Sequence, residues 1–186
     1  NPPFSGARLM SETQKEELLK VFDDMSGAGN LDFVTAWYAK AAKYIQGTKI
    51  KVGFVSTNSI SQGEQVGILW KYLKDLNIVI HFAHQTFRWS NDAPGVAAVY
   101  CVIIGFGVFD IERKYLYEYE NIQGEDKERE VKYINPYLVE GEDILIENRT
   151  KPICNVPEIT YGNQPNDGGN FLFTEEEKDE FLRTEP

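Results

Sequence analysis

The sequence predicts an α/β fold: an open sheet with helices between its strands, followed by a loop-rich mixed α+β segment. Three observations carry this. Helically spaced segments and short apolar runs alternate over the first 110 residues and end on two strands in succession, so parallel strands should give way to a final antiparallel pair. The runs Asn77–Ala83 (NIVIHFA) and Val96–Phe106 (VAAVYCVIIGF) are almost continuously apolar, as strands buried on both faces are. Beyond Asp110 the segments shorten and are punctuated by Pro136, Pro152, Pro157, Pro165 and Gly168-Gly169.

Taken in order, Ser11-Glu12-Thr13-Gln14 is a capping box, with Ser11 at the N-cap and Gln14 three residues on. It opens a helix with Leu18, Leu19 and Phe22 at helical spacing, which Gly27 and Gly29 should break. A second helix places Leu31, Val34, Tyr38, Ala41, Ala42 and Ile45 on one face and ends near Gly47. Lys51–Ser56 (KVGFVS) reads as a short strand, left through the polar loop Thr57-Asn58-Ser59. A third helix is expected over Glu64–Leu76, with Val66, Ile68, Leu69, Trp70 and Leu73 toward the core. Between the two apolar strands that follow, Phe87-Arg88-Trp89 falls in a polar loop. Lys114–Tyr119 (KYLYEY) alternates like an edge strand, and Asn121–Glu130 is polar and charged. Thr174-Glu175-Glu176-Glu177 is a second capping box, opening a last short helix.

At 186 residues the chain is long enough to bury a proper core. No apolar run approaches the roughly 20 residues that span a bilayer, and no signal peptide is visible. Two cysteines, Cys101 and Cys154, make no disulfide framework, so a reducing compartment, the cytoplasm, is expected. The net charge of −10 argues at first against a nucleic-acid partner. Its distribution changes that. Residues 1–110 hold ten Lys/Arg and ten Asp/Glu, and the whole acidic excess lies beyond them, largely in Glu118–Glu130 and Glu175–Glu185, which read as solvated surface. Acidity does not exclude DNA, though no basic patch argues for it.

The chain opens Asn1-Pro2-Pro3-Phe4. Both prolines fix φ near about −65° and the second restricts the first to extended geometry, so the segment is a stiff loop that cannot join a helix. Such a loop offers the Asn1 amide and main-chain carbonyls on one side and an aromatic ring just beyond. That suits a flat amino-heterocycle: carbonyls accept from an exocyclic NH₂ while Phe4 stacks on the ring. The same four residues could also stand in any proline-containing loop. Because the chain begins without methionine on this motif, a piece of a longer protein is expected.

Other constellations are weaker. Phe87, Arg88 and Trp89 could form a stacking wall for an extruded base, or equally a hydrophobic plug at the sheet edge. Asn58, Ser59, Ser61 and Gln62 follow a buried strand at the sheet end where open α/β sheets bind ligands, but polar residues also simply terminate strands. His81 and His84, three apart on a strand, point to opposite faces and suggest no metal site. Gly105-Phe106-Gly107 follows a strand but opens no helix, so it reads as a bulge or sheet exit rather than a cofactor loop. No G-x-S-x-G elbow or P-D…(D/E)-x-K nuclease signature is found.

With these pieces in place the chain resembles a known family. NPPF at 1–4 resembles motif IV, (Asn/Asp/Ser)-Pro-Pro-(Tyr/Phe), of the DNA amino-methyltransferases, in which Asn at the first position points to adenine N6. Together with LDFVTAWYAKAAKYI at 31–45, FVSTNSISQGEQV at 54–66, FAHQTFRWSNDAPGVAAVYCVIIGF at 82–106, INPYLVEGEDILI at 134–146 and RTKPICNVPEITYGNQPNDGGNFLFTEEEK at 149–178, it resembles the MmeI-like modification enzymes, which are bifunctional type IIG/IIL restriction–modification proteins. The resemblance implies that residues 1–110 are the C-terminal half of a class I S-adenosylmethionine-dependent methyltransferase sheet. It implies that 111–186 are a linker and the start of a target recognition domain. Asn1, Pro2, Pro3 and Phe4 would be catalytic, with Phe4 and Phe87 or Trp89 stacking on a flipped adenine of double-stranded DNA. Asn58, Ser61, Gln62 and Arg88 would be placed near DNA. The cofactor's glycine loop would precede Asn1, so the chain should be inactive alone. The reading from a different class is a non-catalytic structural or interaction module that kept the fold.

Overall fold

Helix α1 (Glu12–Val21) starts as its sequence dictates: the Gln14 amide donates to Ser11 Oγ at 3.2 Å and the Ser11 amide to Gln14 Oε1 at 3.0 Å. It stops earlier than its glycines suggest. Asp23 and Asp24 take left-handed conformations (φ 52° and 55°), and the Asp24 amide reaches back to the Leu19 carbonyl. Aspartate visits this region more readily than most residues; the Asp23 carboxylate is held by Lys43 Nζ at 2.8 Å. The computed structural model describes residues 3–89, 99–146, 149, 151–157 and 172–184. They fall into two units, Asn1–Asn148 and Arg149–Pro186.

In the first unit a 3-10 turn (Ala28–Asn30) leads to α2 (Thr35–Tyr44), then β1 (Val52–Thr57), a 3-10 turn (Asn58–Ser61) and α3 (Glu64–Asp75). Strands β2 (Val79–Trp89), β3 (Val99–Gly107), β4 (Lys114–Tyr119) and β5 (Asp126–Val131) follow. The sheet order is β1-β3-β2-β4-β5. β3 lies antiparallel between β1 and β2, which therefore run the same way, and β4 adds parallel to β2. The expected mix of parallel strands and an antiparallel pair takes this form, with the antiparallel strand inserted rather than appended.

The core lies between the helices and one sheet face. Leu18, Leu31, Tyr38, Leu69, Leu73, Ile104, Phe106 and Leu116 are fully buried there. Tyr38 packs on Phe54 and Phe106, and its hydroxyl meets Ser56 Oγ at 2.6 Å, so its buried polar tip has a partner. Burial holds its phenol well above the ordinary range. On the opposite face the Phe82 ring lies across Gly105; a Cβ there would sit 2.0 Å from it. Gly107 is similarly close under His81, at 2.8 Å. The space over these two β3 glycines is filled by side chains of the neighbouring strand β2.

Three expectations change. Phe87-Arg88-Trp89 is not loop: β2 continues through it, paired as Phe87↔Cys101, Arg88↔Tyr100 and Trp89↔Val99 after an irregularity between His84 and Phe87. β4 is no edge strand, since β2 and β5 flank it. Within the charged stretch 121–130, Asp126 onward forms β5, which pairs from Lys114↔Val131 to Tyr119↔Asp126. A strand as charged as DKEREV suits an outer position, where it discourages pairing with other chains. Residues 96–98, Pro165 and Gly168-Gly169 lie outside the described residues.

The second unit contains α4 (Glu175–Thr184), whose capping box forms: the Glu177 amide donates to Thr174 Oγ1 and the Thr174 amide to Glu177 Oε2. Phe173 stacks on Phe181 at 5.3 Å. Among the described residues no helix is long and apolar enough to cross a membrane.

Candidate functional site

β1 and β2 finish at the same end of the sheet, and the site is built there from loops. Asn1 and Pro2 lie outside the described residues. Pro3 is exposed and Phe4 shows 37% of its surface. The chain leaving Phe4 is tied down at once: the Phe33 amide donates to the Ser5 carbonyl at 2.9 Å, and the Ala7 amide to Asp32 Oδ1 at 2.9 Å. Met10 then buries itself in the core.

Asp32 is a junction. Its Oδ2 accepts from Ser59 Oγ at 2.5 Å, its amide donates to Gln65 Oε1 at 2.8 Å, and its carbonyl accepts from Thr35 Oγ1 at 2.8 Å. Ser59 also meets Thr57 Oγ1 at 2.8 Å. Through Ser59 the network enters the 3-10 turn after β1. Asn58 Nδ2 donates to Gln62 Oε1 at 3.4 Å, and Gln62 Nε2 to Thr86 Oγ1 at 3.3 Å, next to Phe87. Ser61 is buried, its hydroxyl donating to the Asn58 carbonyl at 3.0 Å. A polar cavity of about 240 Å³ opens beside the turn, lined by Ser61, Gln62, Gln85, Thr86, Tyr137 and Leu138.

The aromatic candidates stand at the end of β2. Phe87 is half-buried, stacked on Tyr119 at 5.4 Å and tilted against Trp89 at 6.1 Å; Trp89 is 47% exposed. Arg88 is exposed, and its amide donates to the Ile122 carbonyl at 2.7 Å. Behind Phe87, His84 stacks flat on Tyr117 at 4.1 Å and its Nδ1 meets the Tyr119 hydroxyl at 2.8 Å. Burial lowers the His84 pKa and raises that of Tyr119. The Glu128 carboxylate, with some burial, pushes the Tyr117 phenol up to about 12. His81 instead donates from Nε2 to the Phe109 carbonyl at 2.7 Å, and burial lowers its pKa. The two imidazoles thus serve separate partners, and among the described residues no three His, Cys, Asp or Glu gather around a metal-sized space.

The geometry therefore brings the exit of the Pro-Pro loop, the Asn58–Gln62 turn and the end of β2 into one hydrogen-bonded set. Asp32, Gln65 and Thr86 are members that sequence reasoning missed. Asp32 reads locally as an acid ahead of a helix. Its real partners, Ala7 and Ser59, lie 25 and 27 residues away and leave no local signal.

Comparison with known proteins gives a consistent set of relatives. The sequence model of the MmeI DNA-methyltransferase domain matches residues 1–118, and that of the MmeI target recognition domain matches 140–186. DNA methyltransferase A of Bacillus subtilis (strain 168) is 44% identical over 175 residues, which is 94% of this chain and 19% of that protein. A solved type IIL restriction-modification enzyme, MmeI in complex with DNA, is 54% identical, with a TM-score of 0.88 over 100% of this chain and 25% of its own. The chain thus spans about a fifth to a quarter of the length of these relatives.

Proposed function

The chain belongs to the MmeI family, with its DNA-methyltransferase domain and its target recognition domain in sequence, and from that membership we propose that the full-length protein methylates adenine N6 in double-stranded DNA. The activity sits within a cytoplasmic restriction–modification enzyme. Residues 1–110 supply the base-holding half of the catalytic domain, and residues from 111 lead into target recognition.

The donor proposed is S-adenosylmethionine, which would supply the methyl group. The chain's own G-x-G does not fit it, because Phe82 and His81 fill the space over Gly105 and Gly107. No residue described here is assigned to the donor; what this chain does is bind and orient the base. The target adenine leaves the stack. Asn1 Oδ1 and the Pro2 carbonyl accept hydrogen bonds from its N6 amino group, and Pro3 keeps the loop extended. Phe4 stacks on one face of the base, with Phe87 or Trp89 on the other side. Asn58 and Gln62, on a turn that Ser61 shapes from within, and Arg88 at the end of β2 contact the DNA. No covalent enzyme intermediate is needed, so the protein's contribution is positioning, a kind of effect that can supply up to about 7–11 kcal/mol.

The observation that carries this reading is the hydrogen-bonded set linking the loop after Phe4 to the turn after β1 and on to Thr86, beside Phe87. The test is labelled methyl transfer from S-adenosylmethionine to plasmid DNA by the full-length protein, with mass spectrometry of the product nucleosides. N6-methyladenine supports the reading and N4-methylcytosine would correct the base. No transfer by a folded protein would mean that the fold serves as a non-catalytic module.

A further inference from the structure

We propose that Asp32 is a positioning residue, whose carboxylate locks the base-holding loop to the turn after β1 so that the two act as one rigid body. The meaning given to the loop rests on the function proposed above; the lock itself is a property of the fold and is tested separately.

Both carboxylate oxygens of Asp32 are engaged, Oδ1 by the Ala7 amide and Oδ2 by the Ser59 hydroxyl. Both of its backbone groups are engaged as well, by Gln65 and Thr35. A carboxylate committed in this way holds geometry rather than moving protons, and hydrogen bonds to a charged acceptor are the stronger kind. The next residue adds a second point of attachment, from the Phe33 amide to the Ser5 carbonyl. The loop is thus fixed at Ser5 and Ala7 against consecutive residues of one chain segment. Upstream of Ser5, Pro2 and Pro3 cannot swing about φ. Fixing Ser5 and Ala7 therefore aims Pro3 and Phe4. Through Ser59 the same carboxylate fixes the turn that carries Asn58 and Gln62, and Gln62 reaches Thr86. One side chain sets the spacing between the residues that hold the base and those that face the duplex.

The variants that separate position from charge are Asp32→Asn and Asp32→Leu. Asn keeps an oxygen for the Ala7 amide, and its NH₂ can donate to Ser59 Oγ, whose hydrogen then turns to Thr57 Oγ1 at 2.8 Å. Leu, of similar size, supports neither bond. In the full-length protein, hydrogen exchange of residues 4–10 and of Phe33 is measured beside steady-state methyl transfer. For Asp32→Leu the structure predicts lost protection at Ala7 and Phe33 with β3 unchanged. It predicts a kcat lower by about 100-fold, the scale of an ångström of misplacement, with the KM for DNA changed far less. Asp32→Asn should keep the protection and most of kcat. Wild-type protection and kcat in Asp32→Leu would overturn the proposal. So would an Asp32→Asn variant as impaired as Leu, which would give the charge a role of its own. Should Leu collapse β3 protection as well, Ser59→Ala decides, because it cuts the same link from the other side: faster exchange at Ala7 supports the lock and unchanged exchange overturns it. A wild-type protein that methylates no DNA would sink the functional reading, while the exchange data would still decide the lock.

Discussion

The end of the sheet where β1 and β2 finish and the flank where β4 and β5 are added hold themselves together by different means. At the first, uncharged polar groups and one carboxylate close loops across 24 to 33 residues of sequence: Ala7 to Asp32, Ser59 to Asp32, Asp32 to Gln65, Gln62 to Thr86. At the flank, Arg129 bridges Glu118 and Glu140 in the open, and β5 carries five charged residues of six. What anchors the flank is apolar: Leu116 and Val131 reach the core. The lesson is one of purpose. Partly buried hydrogen bonds between distant segments fix a geometry, whereas exposed ion pairs cover an edge and contribute little stability.

That contrast can be broken at several points. Leu116→Ala should cost about 2–5 kcal/mol in denaturant unfolding, because it empties a fully buried core site on β4. A loss well below that range would mean that the flank is held by its charges after all. A smaller effect is expected from His84. Burial depresses its folded-state pKa below the ordinary 6.5. The stability this contributes is full above 6.5 and falls as pH drops below it, since the unfolded chain binds the proton first. Between about pH 7 and 5.5, wild type should therefore lose more stability than His84→Gln; equal slopes would remove His84 from the account. Smallest is Arg129→Gln. It cuts both exposed pairs, yet the melting temperature should stay within repeatability of wild type. A clear drop would show that the charged network does more than cover β5.

What the sequence made legible follows the same division between local and distant. The capping boxes at Ser11 and Thr174 formed as read because donor and acceptor lie three residues apart. The order of helices and apolar strands was legible for the same reason. β5 was not: DKEREV has no alternation, and it is a strand because β4 offers it an edge. Phe87-Arg88-Trp89 looked like loop from its polar neighbours, yet pairing with β3 carries β2 through it. Asn58 and Gln62 were legible as a polar turn after β1. The residues that hold that turn, Asp32 and Thr86, were hidden because their partners lie on other segments.

Under the function proposed above, Asn1 and the residues after it up to Phe4 hold the base to be methylated. The most direct test of that role is methyl transfer by the full-length Asn1→Ala variant beside wild type, with S-adenosylmethionine binding measured for both. N6-methyladenine formation should fall by about 100-fold or more while cofactor binding is unchanged. A variant that methylates adenine at the wild-type rate would contradict it.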